Sequence, residues 1–420
     1  MKRETVPVLI VGAGLLGSCI ALELTRRRMR AVLLDQDSQP MNRASLRNEG
    51  KIHLGLIYAN DATFETARLQ LSGALRFRRL LERWIGEEAN KLPTSTAFIY
   101  LVARDSVLTP DALARHYSRV EQEYRIQRRS DRRMDYLGTR PRALARRLRK
   151  IPPEFAADFF QAAFATPELA IDTDQLAKVI RRAVVASPLI EFRGNHRVRN
   201  IERGDVLSVE GSGPNGRFAI HAEQVINVTW ERRPALDRRI GITPSPSLLH
   251  RLKFRVLVRV PSKMRCGPSA TMVLGRYGDV VIRPAGLSYL SWYPTGMRGW
   301  TDEIEPPRAW DEACRGHPSA SIAREVGALA LRNIDRWYPG IGKSRIALID
   351  AGAIVALGRT DVDDVRSGLH QRTSIGVTSL DNYHTIDPGK MTTAPLFAME
   401  AAERVLARAG RLRTKHCDGT

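Results

Sequence analysis

Residues 8–17 constrain the fold of this 420-residue chain more than any other segment. The first four, Val-Leu-Ile-Val, are apolar without interruption, which is typical of a strand buried in a parallel sheet. Three glycines follow with the G-x-G-x-x-G spacing that leads from a strand into a helix: Gly12, Gly14 and Gly17. A second apolar run at 31–34 ends at the acidic Asp35. Strand, glycine turn, helix, strand and acid in this order predict a Rossmann-like α/β domain with a parallel sheet.

The spacing of the glycines has a physical reason in dinucleotide binding. Gly12 permits a tight turn, Gly14 lets the backbone approach a pyrophosphate, and Gly17 lets the helix pack closely on the strand. The helix that begins near Leu15 points its free N–H groups and its positive dipole end at the phosphates. The carboxylate of Asp35 then lies where it can accept hydrogen bonds from ribose hydroxyls. We therefore expect a dinucleotide site at this turn.

The apolar start of the chain has a second interpretation. Lys2 and Arg3 precede a mostly apolar stretch to residue 24, as in a signal peptide or membrane anchor. Glu23 and the three glycines interrupt that stretch, and a buried strand and helix also account for it. The four cysteines lack the spacing of metal ligands or of a redox pair: Cys19, Cys266, Cys314 and Cys417. We therefore expect a cytoplasmic protein in a reducing compartment.

The chain is strongly basic. It has 66 Lys and Arg against 45 Asp and Glu, a formal net charge of +21. The densest run of arginines lies at 125–149. Such a run suits contact with RNA, anionic lipid or an acidic partner, and it is also typical of a solvated, arginine-rich helix face. No recognised nucleic-acid-binding module accompanies it, so these alternatives stay open.

Length and apolar content predict two intertwined domains. Helical periodicity is found at 63–84, 175–185, 320–337 and 393–409, and we expect a basic helical region at 125–149. Alternating segments predict strands at 97–102, 197–202, 206–209, 217–220, 224–228 and 346–355. The segments 251–260, 271–275, 279–283 and 288–293 alternate like an antiparallel sheet. We assign 1–95, 166–240 and 345–420 to the nucleotide domain, and 96–165 and 241–344 to an α+β substrate domain built on the antiparallel sheet.

Two further segments indicate which dinucleotide the turn holds. Residues 44–58 follow the second strand and mix small, polar and glycine residues, as a backbone lying against a ring system would. Residues 383–395 form a glycine-containing turn that leads into the last helix. A plain NAD-dependent dehydrogenase leaves both segments unexplained, so the sequence favours a flavin.

On these segments the chain resembles the D-amino-acid oxidase-like FAD-dependent oxidoreductases, which include glycine oxidase, sarcosine oxidase and L-2-hydroxyglutarate dehydrogenase. The stretch SLRNEGKIHLG at 45–55 looks most like the hydroxyglutarate branch. Residues 168–176, ELAIDTDQL, are similar to the family's segment ahead of the helix that returns to the FAD domain. Residues 225–230, VINVTW, resemble a strand end of the family, with Thr229 where a glycine is usual.

The resemblance implies an FAD, bound noncovalently or covalently, whose isoalloxazine ring lies between the nucleotide domain and the antiparallel wall. It implies that the residues holding FAD are Gly12, Gly14, Leu15, Leu16, Gly17, Asp35, Gln36, Ser45, Asn48, Gly50, Val198, Thr229, Gly389, Lys390 and Met391. Among them Val198 matches the residue at the adenine, and Lys390 with the last helix matches the turn at the pyrimidine end of the ring. A positive helix end there would stabilise the charge of a reduced flavin.

Four side chains are candidates for the chemistry. His53, similar to the histidine of the hydroxyglutarate branch, has an ordinary pKa of about 6.5 and is our first candidate for the base. His384 is the alternate, and a structural histidine is the competing interpretation of both. Arg283 suits a bidentate contact with a substrate carboxylate or an ordinary structural ion pair. Tyr289, together with Tyr293, either lines the pocket or packs the sheet.

The sequence thus predicts an FAD-dependent dehydrogenase or oxidase. It would transfer a hydride from a CH–OH or CH–NH group of a small anionic substrate, a 2-hydroxy acid or an amino acid-like molecule, to flavin N5. The electron acceptor stays open between oxygen, a quinone and a carrier protein. Two alternatives remain: a flavin-dependent enzyme that modifies or binds RNA through its basic surface, and a peripheral membrane dehydrogenase linked to quinone.

Overall fold

The computed structural model describes residues 4–358, 360, 362, 364, 366–371 and 374–417. These residues form two sheets with helices packed against them. In chain order the strands and helices are β1 (Glu4–Val11), α1 (Leu15–Arg26), β2 (Ala31–Leu34), α2 (Glu65–Ile85), β3 (Phe98–Ala103), α3 (Pro110–Ser130), β4 (Arg146–Arg147), β5 (Phe160–Ala165), α4 (Thr173–Ala186), β6 (Ile190–Arg193), β7 (Arg197–Glu202), β8 (Leu207–Gly213), β9 (Gly216–Asn227), α5 (Arg233–Arg239), β10 (Leu248–Arg259), β11 (Ser269–Val273), β12 (Gly278–Val281), β13 (Ser288–Trp292), α6 (Tyr293–Gly296), β14 (Met297–Thr301), α7 (Asp311–Arg315), α8 (Ala320–Asp335), β15 (Arg345–Leu357), β16 (Gly376–Leu380), β17 (Tyr383–Asp387) and α9 (Ala394–Cys417).

The first sheet has the strand order β16-β17-β9-β1-β2-β6, and β7 and β8 continue from β9 as a meander. The strands from β17 to β6 are parallel to one another. Residues of β1 alternate between two cores: Val8 and Ile10 pack with α1, α2 and α9, while Leu9 and Val11 pack with β7 and β8. Burial on both faces explains the uninterrupted apolar run and confirms the predicted parallel sheet.

The second sheet has the order β14-β10-β13-β12-β11-β3-β5-β4, with β15 on β10. Its pairs are antiparallel apart from β3 and β11, which run parallel. Strand β10 pairs with β15 along its whole length, and α8 packs beneath it through residues such as Val326 and Ile334. The predicted antiparallel wall is therefore present.

Helix α1 accounts for the apolar N-terminal segment, because every residue from Leu15 to Leu24 is buried. Glu23, in its last turn, accepts hydrogen bonds from Arg83 at 2.7 and 2.8 Å and from the indole of Trp84 at 2.9 Å. Among the residues of the described ranges, no helix combines the length and the apolar character that crossing a bilayer requires.

Three sequence-based expectations need correction. The predicted strands at 217–220 and 224–228 are one strand, β9, because it pairs without a break with β8 and then with β1. The basic region at 125–149 is helical only to Ser130; beyond it Leu137 and Gly138 have positive φ, and Pro141 follows, so the chain turns instead. Strand β15 pairs with β10 in the second sheet, although we assigned 345–420 to the nucleotide domain. The rest of our domain division stays a proposal.

Candidate active site

A cavity lies between the two sheets, and segments from both ends of the chain line it. Gly14 at the first glycine turn and Gly389 before the last helix both contribute to its wall. Of the sequence-predicted site residues, the cavity brings together Gly12, Gly14, Leu15, Leu16, Asp35, Gln36, Ser45, Asn48, His53, Val198, Thr229, Tyr289, Gly389, Lys390 and Met391. Gly17, Gly50, Arg283 and His384 lie outside this lining.

The first glycine turn is shaped by close backbone packing. Gly12 has φ +108°, and a Cβ there would lie 2.7 Å from the carbonyl oxygen of Val228. A Cβ on Gly17 would lie 1.9 Å from the carbonyl oxygen of Gly12. Gly17 therefore permits the close contact of helix α1 with the glycine turn that the motif predicts. It does not itself line the cavity.

Helix α1 begins at this turn without a side-chain cap from its N-cap residue, Gly14. The first amide, that of Leu15, donates to Oγ of Ser45 at 2.9 Å, and Leu16 also lines the cavity. The N–H groups of the first helical turn have no acceptors within the helix. The start of α1 thus offers the cavity amide donors and the positive end of a helix dipole.

Asp35 lies beside the turn at the end of β2. Its Oδ2 accepts from the amide of Ala13 at 2.7 Å and its Oδ1 from the amide of Asp37 at 2.9 Å. Burial raises the pKa of this carboxyl to about 6 against the opposing effect of those amides. Each oxygen retains capacity for one more hydrogen bond. The arrangement suits ribose hydroxyls, as the motif predicts.

The loop after β2 is held by the side chain of Asn48. Its Nδ2 donates to the carbonyls of Ala44 and Ser45 at 2.8 and 3.1 Å, and its Oδ1 accepts from the amide of Gly50 at 2.8 Å. Gly50 has φ +79°, and a Cβ there would lie 2.1 Å from the carbonyl oxygen of Ile171. Asn48 and Gly50 therefore shape the loop, and only Asn48 lines the cavity.

Thr229 occupies the position where a glycine is usual without backbone strain. Its φ is −78°, and its Oγ1 donates to Oδ1 of Asn227 at 2.7 Å. The residue with a positive φ in this segment is Trp230, at 55°. Its Nε1 donates to the carbonyl of Ala353 at 2.9 Å. The strand end thus keeps its path beside the cavity with a threonine in it.

The turn before the last helix reaches the same cavity. Gly389 has φ +62° and donates its amide to Oδ1 of Asp387 at 2.8 Å. Lys390 and Met391 line the wall just before α9 begins. Oγ1 of Thr392 accepts from the amide of His53 at 3.0 Å, so this turn is tied directly to the loop that carries the histidine.

His53 is 5% exposed and lines the cavity. Its Nε2 lies 3.8 Å from Oε1 of Glu49, and its Nδ1 is buried without a hydrogen-bond partner among the described residues. The ring of Tyr58 meets it edge-on with centroids 5.7 Å apart. Burial lowers the pKa of His53, which Glu49 opposes. Near neutral pH the imidazole is therefore uncharged and has a lone pair to accept a proton.

The opposite wall carries two cations that our sequence analysis missed, Arg251 and Lys253 of β10. Nη1 of Arg251 donates to the hydroxyl of Tyr293 at 2.7 Å, and its Nε is buried without a partner in the described chain. Nζ of Lys253 lies 5.3 Å from the ring centroid of Tyr293 and makes no hydrogen bond within the described ranges. Tyr289 of β13, opposite Leu257 of β10, also lines the cavity, and burial raises its pKa to about 12.

A sequence signal for this wall existed. Alternate positions 251, 253 and 255 of the predicted strand are Arg, Lys and Arg within a largely apolar run, so the strand presents three cations on one face. Only Arg255 is fully compensated, because Asp350 accepts from its Nε at 2.6 Å and from its Nη2 at 3.0 Å.

The charge of Lys51 is also compensated. Its Nζ donates to Oγ1 of Thr271 and to Oδ1 of Asp279, the latter at 3.1 Å, and it lies 4.1 Å from the ring centroid of Phe98. Lysine 51 therefore stabilises the wall, whereas Arg251 and Lys253 retain donors for an anion.

Arg283 is not the carboxylate anchor that we predicted. Its Nη1 donates to the carbonyl of Leu287 at 3.1 Å, and its Nη2 donates to the carbonyls of Glu49 and Ile171 at 2.9 and 3.3 Å. Both terminal nitrogens therefore donate to backbone carbonyls, and Nε, which has no partner among the described residues, lies outside the cavity lining.

His384 is likewise not a second base. It lies on β17 in the first sheet, where its Nδ1 meets Oγ of Ser379 at 2.8 Å and its Nε2 meets Oε1 of Gln224 at 3.1 Å. Burial, together with Arg404 and Arg408, lowers its pKa to about 4. Both ring nitrogens are used by neighbours outside the cavity, so the residue is structural.

Comparisons with known proteins agree with this geometry. Residues 7–342 match the family model described as "DAO: FAD dependent oxidoreductase". Glycine oxidase from Geobacillus kaustophilus superposes with a TM-score of 0.66 over 97% of this chain and 96% of its own, at 17% identity. The L-alpha-glycerophosphate oxidase from Mycoplasma pneumoniae, solved with FAD bound, gives a TM-score of 0.63 over 96% and 95% of the two chains, at 16% identity. At these identities the likeness shows a shared fold.

A shorter sequence match is found with a protein of tRNA modification. The bifunctional protein MnmC of tRNA 5-methylaminomethyl-2-thiouridine biosynthesis, from Marinobacter nauticus, is 41% identical over 85 residues. The match spans 20% of this chain and 13% of that protein.

Proposed function

The chain belongs to the DAO family of FAD-dependent oxidoreductases, and on that premise we propose that it oxidises the CH–OH or CH–NH group of a small anionic substrate inside the described cavity. One observation carries the proposal: His53 lines the same cavity as Arg251 and Lys253, two cations that make no salt bridge within the described ranges. A proton acceptor and an anion site thus face one space. The assignment to the hydroxyglutarate branch stays a prediction.

The residues of the cavity fit FAD. The start of α1 lacks a capping side chain at Gly14 and the amide of Leu15 donates to Ser45, so the amide of Leu16 and the positive end of the helix would hold the pyrophosphate. Asp35, with Gln36 and Val198 beside it, would hold the adenosine. Ser45, Asn48 and Thr229 would border the cofactor, and Gly389, Lys390 and Met391 would meet its ring. When bound, FAD supplies the acceptor for a hydride from the substrate carbon.

The chain's own residues then have separable tasks. Arg251, which is buried, and Lys253, which is half-buried, bind the anionic group of the substrate, and partial exclusion of water strengthens that contact. This fixes the reacting carbon near His53. His53 accepts the proton of the substrate hydroxyl or amine at Nε2, because its Nδ1 is buried away from the cavity. Lys390 and the start of α9 give that side of the cavity a positive potential.

A panel of 2-hydroxy acids and amino acids tests the proposal. Purified protein reconstituted with FAD should show flavin absorbance, and a substrate should bleach it without oxygen. His53→Ala should slow this reduction by about 100-fold. A reconstituted protein without flavin absorbance, or a His53→Ala variant that reduces at the wild-type rate, would contradict the assignment.

A second candidate function is supported by the MnmC match and by the basic surface. Several arginines in the last turn of α3 and beyond it are exposed and make no ion pair within the described residues: Arg129, Arg132, Arg142, Arg146 and Arg149. We infer from these that the enzyme also engages RNA, whose phosphates such a surface would neutralise.

Salt-dependent binding of tRNA tests the second candidate. Replacing Arg129, Arg142 and Arg149 by Glu should weaken binding and reduce the salt dependence of log K by about one per lost phosphate contact. The matched control places Glu at three exposed arginines elsewhere, Arg259, Arg265 and Arg345. Equal effects of the two triple variants would contradict a specific surface. Binding to anionic vesicles, measured in parallel, tests the membrane alternative. A protein that binds these vesicles but not tRNA would have a membrane surface as its partner instead of RNA.

Two finer expectations stay part of this proposal. We expect a cytoplasmic location, which the wide separation of Cys19, Cys266 and Cys314, all free thiols, supports. The electron acceptor is oxygen, a quinone or a carrier protein, and reoxidation assays with each would distinguish them. Cell fractionation that finds the protein outside the cytoplasm would contradict the location.

A further inference from the structure

We infer that Arg233 is a positioning residue for the cofactor: through a mostly buried hydrogen-bond network it fixes the turn of Gly389 relative to the first glycine turn. Nη1 of Arg233 donates to Oδ2 of Asp237 at 2.9 Å, and Nη2 donates to Oδ2 of Asp387 at 3.0 Å. Oδ1 of Asp387 accepts from the amide of Gly389 at 2.8 Å. The inference deepens the proposed function and rests on its placement of FAD in the cavity.

The network begins where the pairing of two parallel strands stops. Strand β17 pairs with β9 from Tyr383 onward, and the last pair in their register joins Thr385 to Asn227. Thr229 and Gly389, which line the cavity, both lie beyond that pair. Ligands bind beyond the carboxyl ends of parallel strands, where the backbone ladder no longer holds neighbouring segments together. The relative position of these two segments therefore depends on side-chain contacts.

Asn227 connects the network to the first glycine turn. Its Oδ1 accepts from the amide and from Oγ1 of Thr229 at 3.2 and 2.7 Å, and its Nδ2 donates to Oδ1 of Asp237 at 2.9 Å. Thr229 lies against the turn itself, because a Cβ on Gly12 would be 3.2 Å from its Cα. Asp237 is thus bonded to the segment that borders the first glycine turn.

Asp237 is a fixed anchor for Arg233. It is 2% exposed, and its Oδ1 also accepts from the hydroxyl of Tyr383 at 2.7 Å. Its Oδ2 accepts from Oγ1 of Thr385 at 2.9 Å as well as from Arg233. The carboxylate is therefore bonded to side chains of both β9 and β17. A buried polar network whose members are satisfied in this way is rigid.

Asp387 is held less firmly. Its backbone pairs with Gly376 of β16, on the side of β17 that faces away from β9. The contact that draws it toward β9 is the ion pair with Arg233. Without the guanidinium, the carboxylates of Asp237 and Asp387 would face the same space and repel each other. The bond between Asp387 and the amide of Gly389 would carry that displacement to the turn.

A displaced turn would affect reduced FAD more than oxidised FAD. Lys390 of the turn lines the cavity, and the start of α9 follows it. Both give this side of the cavity a positive potential, and a reduced flavin carries the additional negative charge. Moving them away would weaken the binding of reduced FAD more than that of oxidised FAD, so the midpoint potential of the bound flavin would fall.

Midpoint potentials of the bound flavin, measured by anaerobic titration without any substrate, test the inference. Arg233→Met and Asp387→Asn should each lower the ratio of the affinities for reduced and oxidised FAD by about tenfold, which is about 30 mV. The two substitutions change the net charge in opposite directions, so a charge effect alone would raise the potential in Asp387→Asn. A raised potential in that variant, or an unchanged one in Arg233→Met, would overturn the inference.

Three further variants sharpen the test. Arg233→Lys keeps the charge but loses the planar fork that bonds two carboxylates, so the potential should still fall. A wild-type potential there would show that charge alone suffices and would contradict the role. The double variant with Arg233→Met and Asp387→Asn should shift the potential no more than the larger single change, because both break one contact. Arg239→Met, at an exposed arginine of the same helix, is the control and should leave the potential unchanged.

Binding to the apoprotein separates positioning from a general loss of structure. Apoprotein of Arg233→Met should bind ADP, which lacks the flavin ring, within about twofold of the wild type and FAD about tenfold more weakly. Equal weakening of both ligands would count against the inference. If Arg233→Met does not fold, Arg233→Lys and Asp387→Asn carry the same measurements.

The results also separate this inference from the proposed function. Lowered potentials in a protein whose flavin no 2-hydroxy acid or amino acid bleaches would support the role of Arg233 and contradict the proposed substrates. Bleaching by a substrate, with wild-type potentials in both single variants, would leave the proposed function intact and refute the role of Arg233.

Discussion

The two ends of the cavity are built from different parts of the chain. At the first glycine turn the donors belong to the backbone, such as the amide of Leu16 at the start of α1. At the opposite end the functional groups are side chains: His53 on a loop, and Arg251 and Lys253 on β10. The binding groups at the first end are thus determined by the backbone conformation, and those at the other end by the identity of the side chains.

This difference determines what each end tolerates. A backbone site fails when an added atom prevents close packing, because the helix must then move. A side-chain site can lose one group and keep the fold, so its loss appears in binding or rate instead. Substitutions at the two ends should therefore produce different kinds of defect.

The largest effect should come from Gly17→Ala at the backbone end. The new Cβ would lie 1.9 Å from the carbonyl oxygen of Gly12, so α1 must shift. We expect the free energy of unfolding to fall by about 3 kcal/mol and the purified protein to lose FAD. Urea unfolding and flavin absorbance measure both. An added Cβ at Gly410 in α9 would meet no described atom within 4 Å outside its own helix backbone, so Gly410→Ala serves as the control, with unchanged or slightly higher stability. If Gly17→Ala is as stable as the wild type, the backbone end does not depend on close packing, and the contrast between the two ends is wrong.

Lys253→Met at the side-chain end should leave the fold and FAD in place. Removing a half-buried cation that lines the cavity should weaken substrate or carboxylate-inhibitor binding by about 10-fold to 100-fold. Titration of the flavin spectrum measures the dissociation constant. The exposed Lys263→Met is the matched control and should bind as the wild type does. If Lys253→Met binds anions normally, the anchor lies elsewhere.

Asp35 should make FAD binding depend on pH at the backbone end. Its pKa is raised to about 6 by burial, and the ionised carboxylate accepts hydrogen bonds from ribose hydroxyls more strongly than the neutral acid does. As the pH falls below that value the carboxylate becomes protonated, so the affinity should fall by up to about tenfold per pH unit, and it should stay constant above that pH. Fluorescence quenching of FAD by the apoprotein measures this. Asp35→Asn should bind more weakly and without the pH dependence; a parallel pH profile in that variant would refute the role.

The smallest effect should follow from His384→Asn. His384 bonds Ser379 and Gln224 outside the cavity, so we expect a change in flavin reduction of less than about twofold. The free energy of unfolding should fall by about 1 kcal/mol because buried hydrogen bonds are lost. A tenfold slower reduction with FAD retained would return His384 to the list of candidate bases.

The same contrast explains how far the sequence could be interpreted. The glycine turn was predicted with its strand and helix because the requirement for Gly12 and Gly17 is local and leaves a fixed spacing. His53 was found through the resemblance of its loop to a known family. In a chain with this many arginines, Arg283 could be told from Arg251 only by the three-dimensional path of β10 and the carbonyls behind it.

Long-range pairing was the other limit. Strand β15 has the pattern of any apolar strand, and nothing in its residues indicates whether it joins β10 or the parallel sheet. Glu49 illustrates the same limit of sequence-based prediction at the site. The sequence does not indicate that its Oε1 lies 3.8 Å from Nε2 of His53.

A crystal structure of the FAD complex tests the central claim most directly, namely that the two ends of the chain hold one FAD in a single cavity. The account predicts a pyrophosphate at the start of α1, on the amide of Leu16, and an isoalloxazine ring that contacts the turn of Gly389 on one side and the wall of Tyr289 and Lys253 on the other. An FAD whose ring lies away from that turn, or out of reach of His53, would contradict it.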